Sequence, residues 1–188
     1  ETFTRYQHDP NDPDSLSFDD VRGILEDEEG TFWIATTFGG LNRFDQETET
    51  FKAFKHDPEN PNSLGEGIIN VLTRDAEGIF WLGLWGGGLN RFDPATEKFR
   101  RYVNDPDDPT SISSNQVWGI LHAQDGTIWA GTSGGLNRFD RGTETFAAYR
   151  RKDGLSSDHI KTVLEDGQGR LWLGTADGGI TVFDPATE

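Results

Sequence analysis

The sequence predicts an all-β fold built from four copies of one antiparallel four-stranded unit. A motif that reads GTIWAGTSGGLNRFDRGTETF in one copy recurs, with small changes, in three others. The composition agrees, because 23 glycines and 12% aromatic residues, beside 33% hydrophobic residues, are typical of many short strands joined by tight turns. The tryptophan of the motif sets the period, and its copies lie 48, 48 and 43 residues apart, at Trp33, Trp81, Trp129 and Trp172.

Each unit contains four candidate strands. The first is an apolar run such as residues 116–123 or 159–166, and an acidic, glycine-containing turn (DEEG, DAEG, AQDG or DGQG) follows it. The second strand reads FWIAT, FWLGL, IWAGT or LWLGT, and a Gly-Gly turn leads to the third, LNRFD or ITVFD. The fourth reads FTRY, FKAF, FRRY or FAAY. Glycine tolerates positive φ and Asp bonds the turn backbone, so these turns predict a hairpin meander.

Both faces of each predicted sheet carry apolar residues. The second strand is apolar at nearly every position, which indicates burial on both sides. Aromatic residues of the fourth strand lie three apart, as in Phe51 and Phe54, and therefore point to opposite faces. Four such sheets stacked around an axis form a β-propeller. A solenoid would require distinct capping units, and the four units show none.

The two ends of the chain predict how the ring closes. Residues 150–188 supply strands one to three of a unit, and residues 1–6 (ETFTRY) read as an isolated fourth strand. Between them we predict blades at residues 7–54, 55–102 and 103–149. The leading strand would complete the last blade and remove two free sheet edges. It does so either in its own chain, giving a four-bladed monomer, or in a second chain, giving an eight-bladed homodimer. The homodimer is the favoured alternative, and a segment of a longer array is a third.

Charge and composition exclude several partners. Acidic residues number 33 against 17 Lys and Arg, a net charge of −16, so we expect no nucleic-acid or membrane contact by this segment. Cysteine is absent, which excludes disulfides and thiolate chemistry. We predict no cofactor and no metal. The chain has no long apolar run or signal peptide and starts without Met, which suggests a mature or excised piece.

The positions repeated in every unit are interpreted as structural. The four motif tryptophans are predicted to wedge between neighbouring blades. The Asp of each repeated Phe-Asp pair is predicted to accept hydrogen bonds from the turn that follows it. These pairs are Phe44-Asp45, Phe92-Asp93, Phe139-Asp140 and Phe183-Asp184.

GTIWAGTSGGLNRFD followed by TETFAAY, with DPTSISSNQVWGI before it, resembles the two-component regulator propeller repeat. That repeat builds periplasmic sensor domains of hybrid two-component histidine kinases, many of which control polysaccharide use. The resemblance covers all four units and implies a non-enzymatic, periplasmic ligand-sensing propeller. Family members carry many more repeats, then a β-sandwich, a membrane helix and a kinase, so the signalling output is not carried over to this segment.

The freely varying positions at one end of the predicted channel are the candidate binding residues. Two positions of the first strand vary, and so does the turn between the second and third strands. The first-strand columns hold Asp20, Ile68, Gln116 and His159, then Arg22, Asn70, Trp118 and Lys161, and the turn column holds Phe38, Trp85, Ser133 and Asp177. From these columns we predict ligand-binding residues Trp85, Trp118, Phe38, Arg22, Lys161, His159 and Asp177.

The expected chemistry follows from those residue types. The two tryptophans would stack on the flat face of a sugar or aromatic ligand, while Arg22 and Lys161 would hold a carboxylate. A saccharide or small anion is therefore the predicted ligand. The alternative for these aromatics is that they merely plug the channel or cover a neighbouring blade.

Two other functions stay open. The chain could be a self-assembling propeller fragment or designed scaffold without a ligand. It could also be a lyase-like enzyme, because streptogramin lyases have a similar repeat and use a histidine and a metal at the channel mouth, where His159 is predicted to lie. The Asp-rich loops at residues 8–17, 56–65 and 104–113 lack the spacing of an EF-hand, so calcium is not favoured.

Overall fold

The computed structural model describes residues 2–187, so Glu1 and Glu188, which end the predicted segments 1–6 and 150–188, lie outside the described residues. The described chain contains fifteen strands, grouped into four antiparallel sheets. Blade 1 contains β1 (Val21–Glu26), β2 (Phe32–Thr36), β3 (Gly40–Asp45) and β4 (Thr50–Phe54). Blade 2 contains β5 (Ile68–Arg74), β6 (Phe80–Trp85), β7 (Leu89–Asp93) and β8 (Lys98–Tyr102). Blade 3 contains β9 (Val117–His122), β10 (Ile128–Thr132), β11 (Gly135–Asp140) and β12 (Thr145–Tyr149). Blade 4 contains β13 (Ile160–Glu165), β14 (Leu171–Thr175) and β15 (Ile180–Phe183). Two short 3-10 turns, Arg151–Asp153 and Pro185–Thr187, complete the elements.

Every sheet is a simple meander, in which each strand pairs with the next one along the chain. The second strand of each blade lies inside its sheet, and Phe80 to Leu84 of β6 are all buried, as its continuous apolar sequence predicts. First strands of successive blades contact one another, which places them nearest the common axis. The predicted propeller architecture is confirmed.

Aromatic side chains fill the space between blades. The ring of Trp33 lies 5.1 Å from Phe80 and 5.3 Å from Phe92 of the next blade, and Trp33 is only 2% exposed. The same contact recurs between Trp81 and Phe139 at 5.2 Å, and between Trp129 and Phe183 at 5.9 Å. The predicted wedge between blades is thus confirmed for three tryptophans.

Trp172 differs from the other three, because residues 2–187 contain no blade that packs on the far side of blade 4. Its side chain is 40% exposed, so the prediction that all four tryptophans lie between blades is wrong for this one in the described chain. Its indole nitrogen still donates to Asp166 Oδ2 at 2.8 Å, as the indole of Trp33 does to Asp27 at 2.8 Å.

The leading segment does not complete blade 4 within its own chain, and its pairing with a second chain stays a prediction. Residues 2–19 contain no strand, and β15 has no fourth strand beside it. Tyr6 instead packs against Phe44 and Phe51 of blade 1, at ring distances of 4.9 and 5.6 Å. Closure of the ring within one chain is therefore not what the structure shows, because in residues 2–187 no strand pairs with β15 and Trp172 stays 40% exposed.

The turns behave as their sequences predict. Asp45 Oδ1 accepts hydrogen bonds from the backbone N–H of Glu47 and Thr48, and Asp140 does the same for Gly142 and Thr143. These bonds hold the pKa of both carboxyls below the ordinary value. The tight turns between third and fourth strands therefore come from the Asp of each Phe-Asp pair.

Candidate ligand-binding site

A β-bulge in the first strand of every blade presents one side chain outside the regular pairing. In blade 3 the pairing jumps from Val117 to Gly119, so Trp118 is the extra residue. Bulges bend a strand and re-aim the inserted side chain, and they are common beside functional sites. The extra residues of the four blades are Arg22, Asn70, Trp118 and Lys161. The varying column that the sequence singled out is therefore the bulge column.

Blades 2, 3 and 4 bring four predicted residues into one cluster, which we call the aromatic–cationic cluster: Trp85, Trp118, His159 and Lys161. The ring of Trp118 lies 5.6 Å from that of Trp85 and 5.7 Å from that of His159. Lys161 Nζ sits 3.0 Å from the centroid of the Trp118 ring, a cation–π contact. Trp85 is 49% exposed, so the cluster offers an open aromatic face beside a cation.

Ser133 connects the cluster by hydrogen bonds. Its hydroxyl accepts from Trp118 Nε1 at 2.9 Å and donates to Gln116 Oε1 at 2.9 Å. The ring Nε2 of His159 lies 3.2 Å from the same oxygen. The hydrogen bond to Ser133 and the contact with Lys161 hold the ring of Trp118 in one orientation.

The pKa values of the two basic groups in the cluster, His159 and Lys161, are both lowered, which favours their neutral forms. Burial lowers the pKa of Lys161 below its ordinary value. Burial and the nearby charge of Lys161 lower the pKa of His159, while Asp177 acts in the opposite direction. His159 is therefore neutral at pH 7, and Lys161 is the cation of the site.

Of the three remaining predicted residues, the structure places two, Arg22 and Phe38, away from this cluster. Arg22 donates from Nε to Thr37 Oγ1 at 2.9 Å in blade 1. Phe38 is 68% exposed and packs edge-on against Phe18 at 5.3 Å. Arg22 and Phe38 belong to blade 1, whereas the cluster is built from blades 2, 3 and 4. Asp177 belongs to blade 4 and lies beside the cluster: it accepts a short hydrogen bond from Ser157, and its charge acts on His159.

In blades 1 and 4 the turn residues selected from the sequence, Phe38 and Asp177, lie one position after the residues that are structurally equivalent to Ser133. The residue that bonds back to the first strand is Thr37 in blade 1 and Ala176 in blade 4, equivalent to Ser133 in blade 3. Thr37 Oγ1 donates to Asp20 Oδ2 at 2.6 Å, as Ser133 does to Gln116. The turns differ in length, and only the strand register shows which turn residues correspond.

The loops entering the first strands have a structural role in this fold. Asp9 Oδ1 accepts from the backbone N–H of Asn11, and Asp12 Oδ1 accepts from that of Asp14. His8 Nδ1 lies 2.9 Å from the carbonyl of Leu16 and must donate to it, since a carbonyl only accepts. Among residues 2–187, no group of three or more His, Asp or Glu side chains is placed to hold a metal ion.

The geometry defines a β-propeller arc with an aromatic–cationic cluster at one end of its axis. Three segments of the chain, residues 15–38, 111–134 and 154–177, match the model of the two-component regulator propeller. These matches confirm the resemblance to the two-component regulator propeller repeat that the sequence indicates. A search of curated proteins finds no match.

Solved structures give the same result. The extracellular domain of a putative hybrid two-component system from B. thetaiotaomicron matches 88% of this chain with a TM-score of 0.80 and 26% identity. That of a putative one-component system from the same organism matches 89%, with a TM-score of 0.75 and 23% identity. This chain covers 23% and 24% of the lengths of those two domains.

A propeller enzyme is also similar in fold. Catalytically inactive virginiamycin B lyase from Staphylococcus aureus matches 97% of this chain with a TM-score of 0.63, at 16% identity and over 60% of its own length. At that identity the likeness concerns the fold alone.

The chain is a sensor-like propeller segment that resembles the extracellular domains of two-component systems. In the described part of the chain, no helix has the length and apolar character needed to cross a bilayer.

Proposed function

We propose that this protein is a non-catalytic, extracytoplasmic sensing module that binds a small acidic ligand, such as a uronic-acid saccharide, at the aromatic–cationic cluster. The observation that carries the proposal is the placement of Lys161 Nζ 3.0 Å above the ring of Trp118. A sugar presents a flat apolar face to an indole, and a carboxylate accepts charge-assisted hydrogen bonds from an amine. The cluster supplies both partners within one contact distance.

The local charges favour an anion over a neutral ligand. Among residues 2–187, no carboxylate lies within ion-pair distance of Lys161. Its amine is engaged by an aromatic face instead, and burial lowers its pKa. A carboxylate ligand would supply the missing counter-charge and relieve that cost. Six Arg side chains elsewhere already form ion pairs with Asp or Glu, namely Arg22, Arg43, Arg74, Arg100, Arg141 and Arg170, so this lysine is the better candidate.

Calorimetric titration with matched neutral and uronic-acid oligosaccharides tests the proposal. We expect tighter binding of the acidic member. Lys161→Gln should weaken it about tenfold to a hundredfold, because a hydrogen bond to a charged group contributes about 1.5–3 kcal/mol. Trp85→Ala should weaken both classes, whereas Trp85→Phe should retain part of the affinity.

Lys152→Gln is the matched control, because it removes the same charge from an exposed loop position in the same blade. Equal losses for Lys152→Gln and Lys161→Gln would reduce the effect to net charge. Unchanged affinity after both Lys161→Gln and Trp85→Ala would remove this site as the place of binding.

A lyase-like activity is the second candidate, supported by the 3.2 Å approach of His159 Nε2 to Ser133 Oγ. A neutral histidine can accept a proton, which a general base must do. Ser133 already donates to Gln116, however, so its proton is directed away from His159. Ligand turnover that His159→Ala abolishes would favour the enzyme; ligand recovered unchanged after prolonged incubation favours the sensor.

A further inference from the structure

The leading segment lies where the fourth strand of a preceding blade belongs. In the interior of the chain, Tyr102 of β8 packs against Phe139 and Phe146 of the next blade at 5.0 and 5.7 Å. Tyr6 packs against the equivalent residues of blade 1, Phe44 and Phe51, at 4.9 and 5.6 Å. The agreement within 0.1 Å at both contacts indicates the same packing position.

A polar contact repeats the equivalence. The hydroxyl of Tyr102 donates to Glu144 Oε1 at 3.1 Å, and that of Tyr6 donates to Glu49 Oε1 at 3.2 Å. Both glutamates occupy the same turn position and adopt the left-handed conformation, with φ of 56° and 57°. Blade 1 therefore presents the surface that packs against a preceding blade, and residues 2–6 occupy the position of that blade's fourth strand without forming a strand themselves.

Blade 4 presents the complementary surface, which we call the open face: Leu164, Trp172 and Ile180. Their exposed fractions are 63%, 40% and 68%. The residues equivalent to Trp172 are at most 2% exposed, and those equivalent to Ile180, such as Leu136, are fully buried. Phe3 is 94% exposed although its equivalent in blade 1, Phe51, is 7% exposed. Among residues 2–187, no blade packs on the open face and no strand pairs beside Phe3.

We propose that a second copy of this chain covers the open face, and that the two copies form one eight-bladed ring by exchanging their leading segments. Residues 2–6 of one copy would pair with β15 of the other. By the register of blade 3, in which Phe139 faces Phe146 and Leu136 faces Tyr149, Phe3 lies opposite Phe183 of the second copy and Tyr6 opposite its Ile180. The proposal is independent of any ligand.

The shape of the arc favours a second copy over closure within one chain. Three successive blade contacts of one kind leave Trp172 and β15 uncovered, so four blades with these contacts do not complete a turn. Two copies of the arc repeat the same contact at both junctions, as a symmetric pair requires. At each junction Trp172 of one copy would reach Phe32 and Phe44 of the other, as Trp33 reaches Phe80 and Phe92.

Formation of the eight-bladed ring would also add a residue of the second copy to the aromatic–cationic cluster. Inside the chain, the bulge residue Trp118 touches the bulge residue Lys161 of the next blade. At the junction, the neighbour of Lys161 would be Arg22 of the second copy. A second cation would then stand beside the aromatic–cationic cluster, so the site is incomplete in one copy alone.

Light scattering coupled to size exclusion measures the mass of the assembly. We expect twice the mass of the 188-residue chain at micromolar concentration. Tyr6→Ala and Trp172→Ala should each shift the mass toward one chain, whereas Val103→Ala, which trims another exposed apolar side chain, should leave it doubled. A chain that is folded by circular dichroism and stays at single mass up to high concentration would overturn the proposal.

Engineered cysteines distinguish the two modes of closure, because the natural chain has none. Thr4 and Val182 fall opposite each other in the proposed register and are both exposed, so Thr4→Cys and Val182→Cys are placed on separate chains and mixed. Oxidation should give a covalent dimer. Thr4→Cys mixed with Gln168→Cys is the matched control and should give none. If only the doubly substituted chain crosslinks, and does so as a monomer, closure is internal and the exchange is wrong.

Discussion

Asp75 shows how one carboxylate fixes a blade. It is 5% exposed and accepts hydrogen bonds from Trp81 Nε1 at 2.9 Å, from the backbone of its turn, and from Arg141 of the next blade at 2.9 Å. Burial acts to raise its pKa, but the bonds from Trp81 and Arg141 outweigh burial and hold the pKa below the ordinary value. Asp27 and Asp166 occupy the same position in blades 1 and 4, while blade 3 has Ala123 there.

Asp75→Asn should lower the free energy of unfolding by about 2–4 kcal/mol, because it removes the charge that Arg141 faces and weakens the bond to Trp81. Urea unfolding followed by tryptophan fluorescence measures the change. Asp125→Asn is the matched control, since Asp125 is an exposed turn residue of blade 3 that accepts only from its own turn, at Thr127. Comparable losses at the two positions would argue against a special role for Asp75.

The motif tryptophans should differ in their stabilising effect. Trp33→Ala should lower the free energy of unfolding by about 3–5 kcal/mol, because removing a buried indole leaves a large cavity between two blades. Trp172→Ala should cost much less at protein concentrations low enough to keep the chain monomeric, since that ring is 40% exposed. Equal losses in chemical unfolding under those conditions would show that exposure does not decide the effect.

At the scale of elements, the bulge in each first strand separates the structural residues from the variable ones. The regular pairing around it holds buried residues such as Val117 and Ile160, while the extra residue lies outside that pairing. Because the bulge recurs at the same place in four blades, its side chain can vary without disturbing the sheet. This explains why Arg, Asn, Trp and Lys are all accepted at one repeated position.

The turn before each third strand depends on backbone geometry. Gly88 has φ of +70°, and a Cβ there would collide with the carbonyl oxygen of Tyr102. Gly88→Ala should therefore lower the free energy of unfolding by more than about 1 kcal/mol. Gly167→Ala, at a turn glycine with open space around its Cα, is the matched control and should stay within about 0.5 kcal/mol of the parent in urea unfolding. A neutral Gly88→Ala would mean that this turn can shift.

At the scale of the whole molecule, two groups of residues link stability to pH. The carboxyls of Asp27, Asp75 and Asp166 have lowered pKa values in the folded chain, so their contribution is present above the unfolded pKa of 3.8 and is lost as pH falls through the folded values. His122 acts at higher pH. Burial lowers its pKa below 6.5, so the unfolded chain takes up a proton first and stability begins to fall below pH 6.5.

His122→Gln should remove the loss of stability that begins below pH 6.5. His122 Nε2 lies 2.8 Å from Thr73 Oγ1 of the neighbouring blade, and its Nδ1 is buried without a hydrogen-bond partner. The parent should lose up to about 1.4 kcal/mol per pH unit between pH 6.5 and the folded pKa from this group, and the variant should not. Urea unfolding at pH 8, 6 and 5 measures the slopes, and the pH 8 comparison isolates any packing effect. Parallel slopes would exclude His122 as the source.

The candidate site was predictable only in part. Trp85, Trp118, His159 and Lys161 were found because they vary where the rest of the unit repeats, and the structure gathers them around Ser133. Phe38 and Asp177 were aligned with Trp85 and Ser133 by turn sequence, whereas the strand register aligns Thr37 and Ala176 with them. Turns of unequal length hide such correspondences, because only the hydrogen bonds show which residue faces the first strand.

The repeated sequence by itself determined the four-stranded blade, the propeller and the inter-blade role of tryptophan, because burial and turn chemistry are local and recur in every unit. Tertiary structure alone decided that the four-blade arc stays open and that Tyr6 lies against Phe44. Likewise, it alone revealed that Lys161 covers Trp118. Ring closure depends on the total of the angles between successive blades, and the sequence of a single repeat does not determine that total.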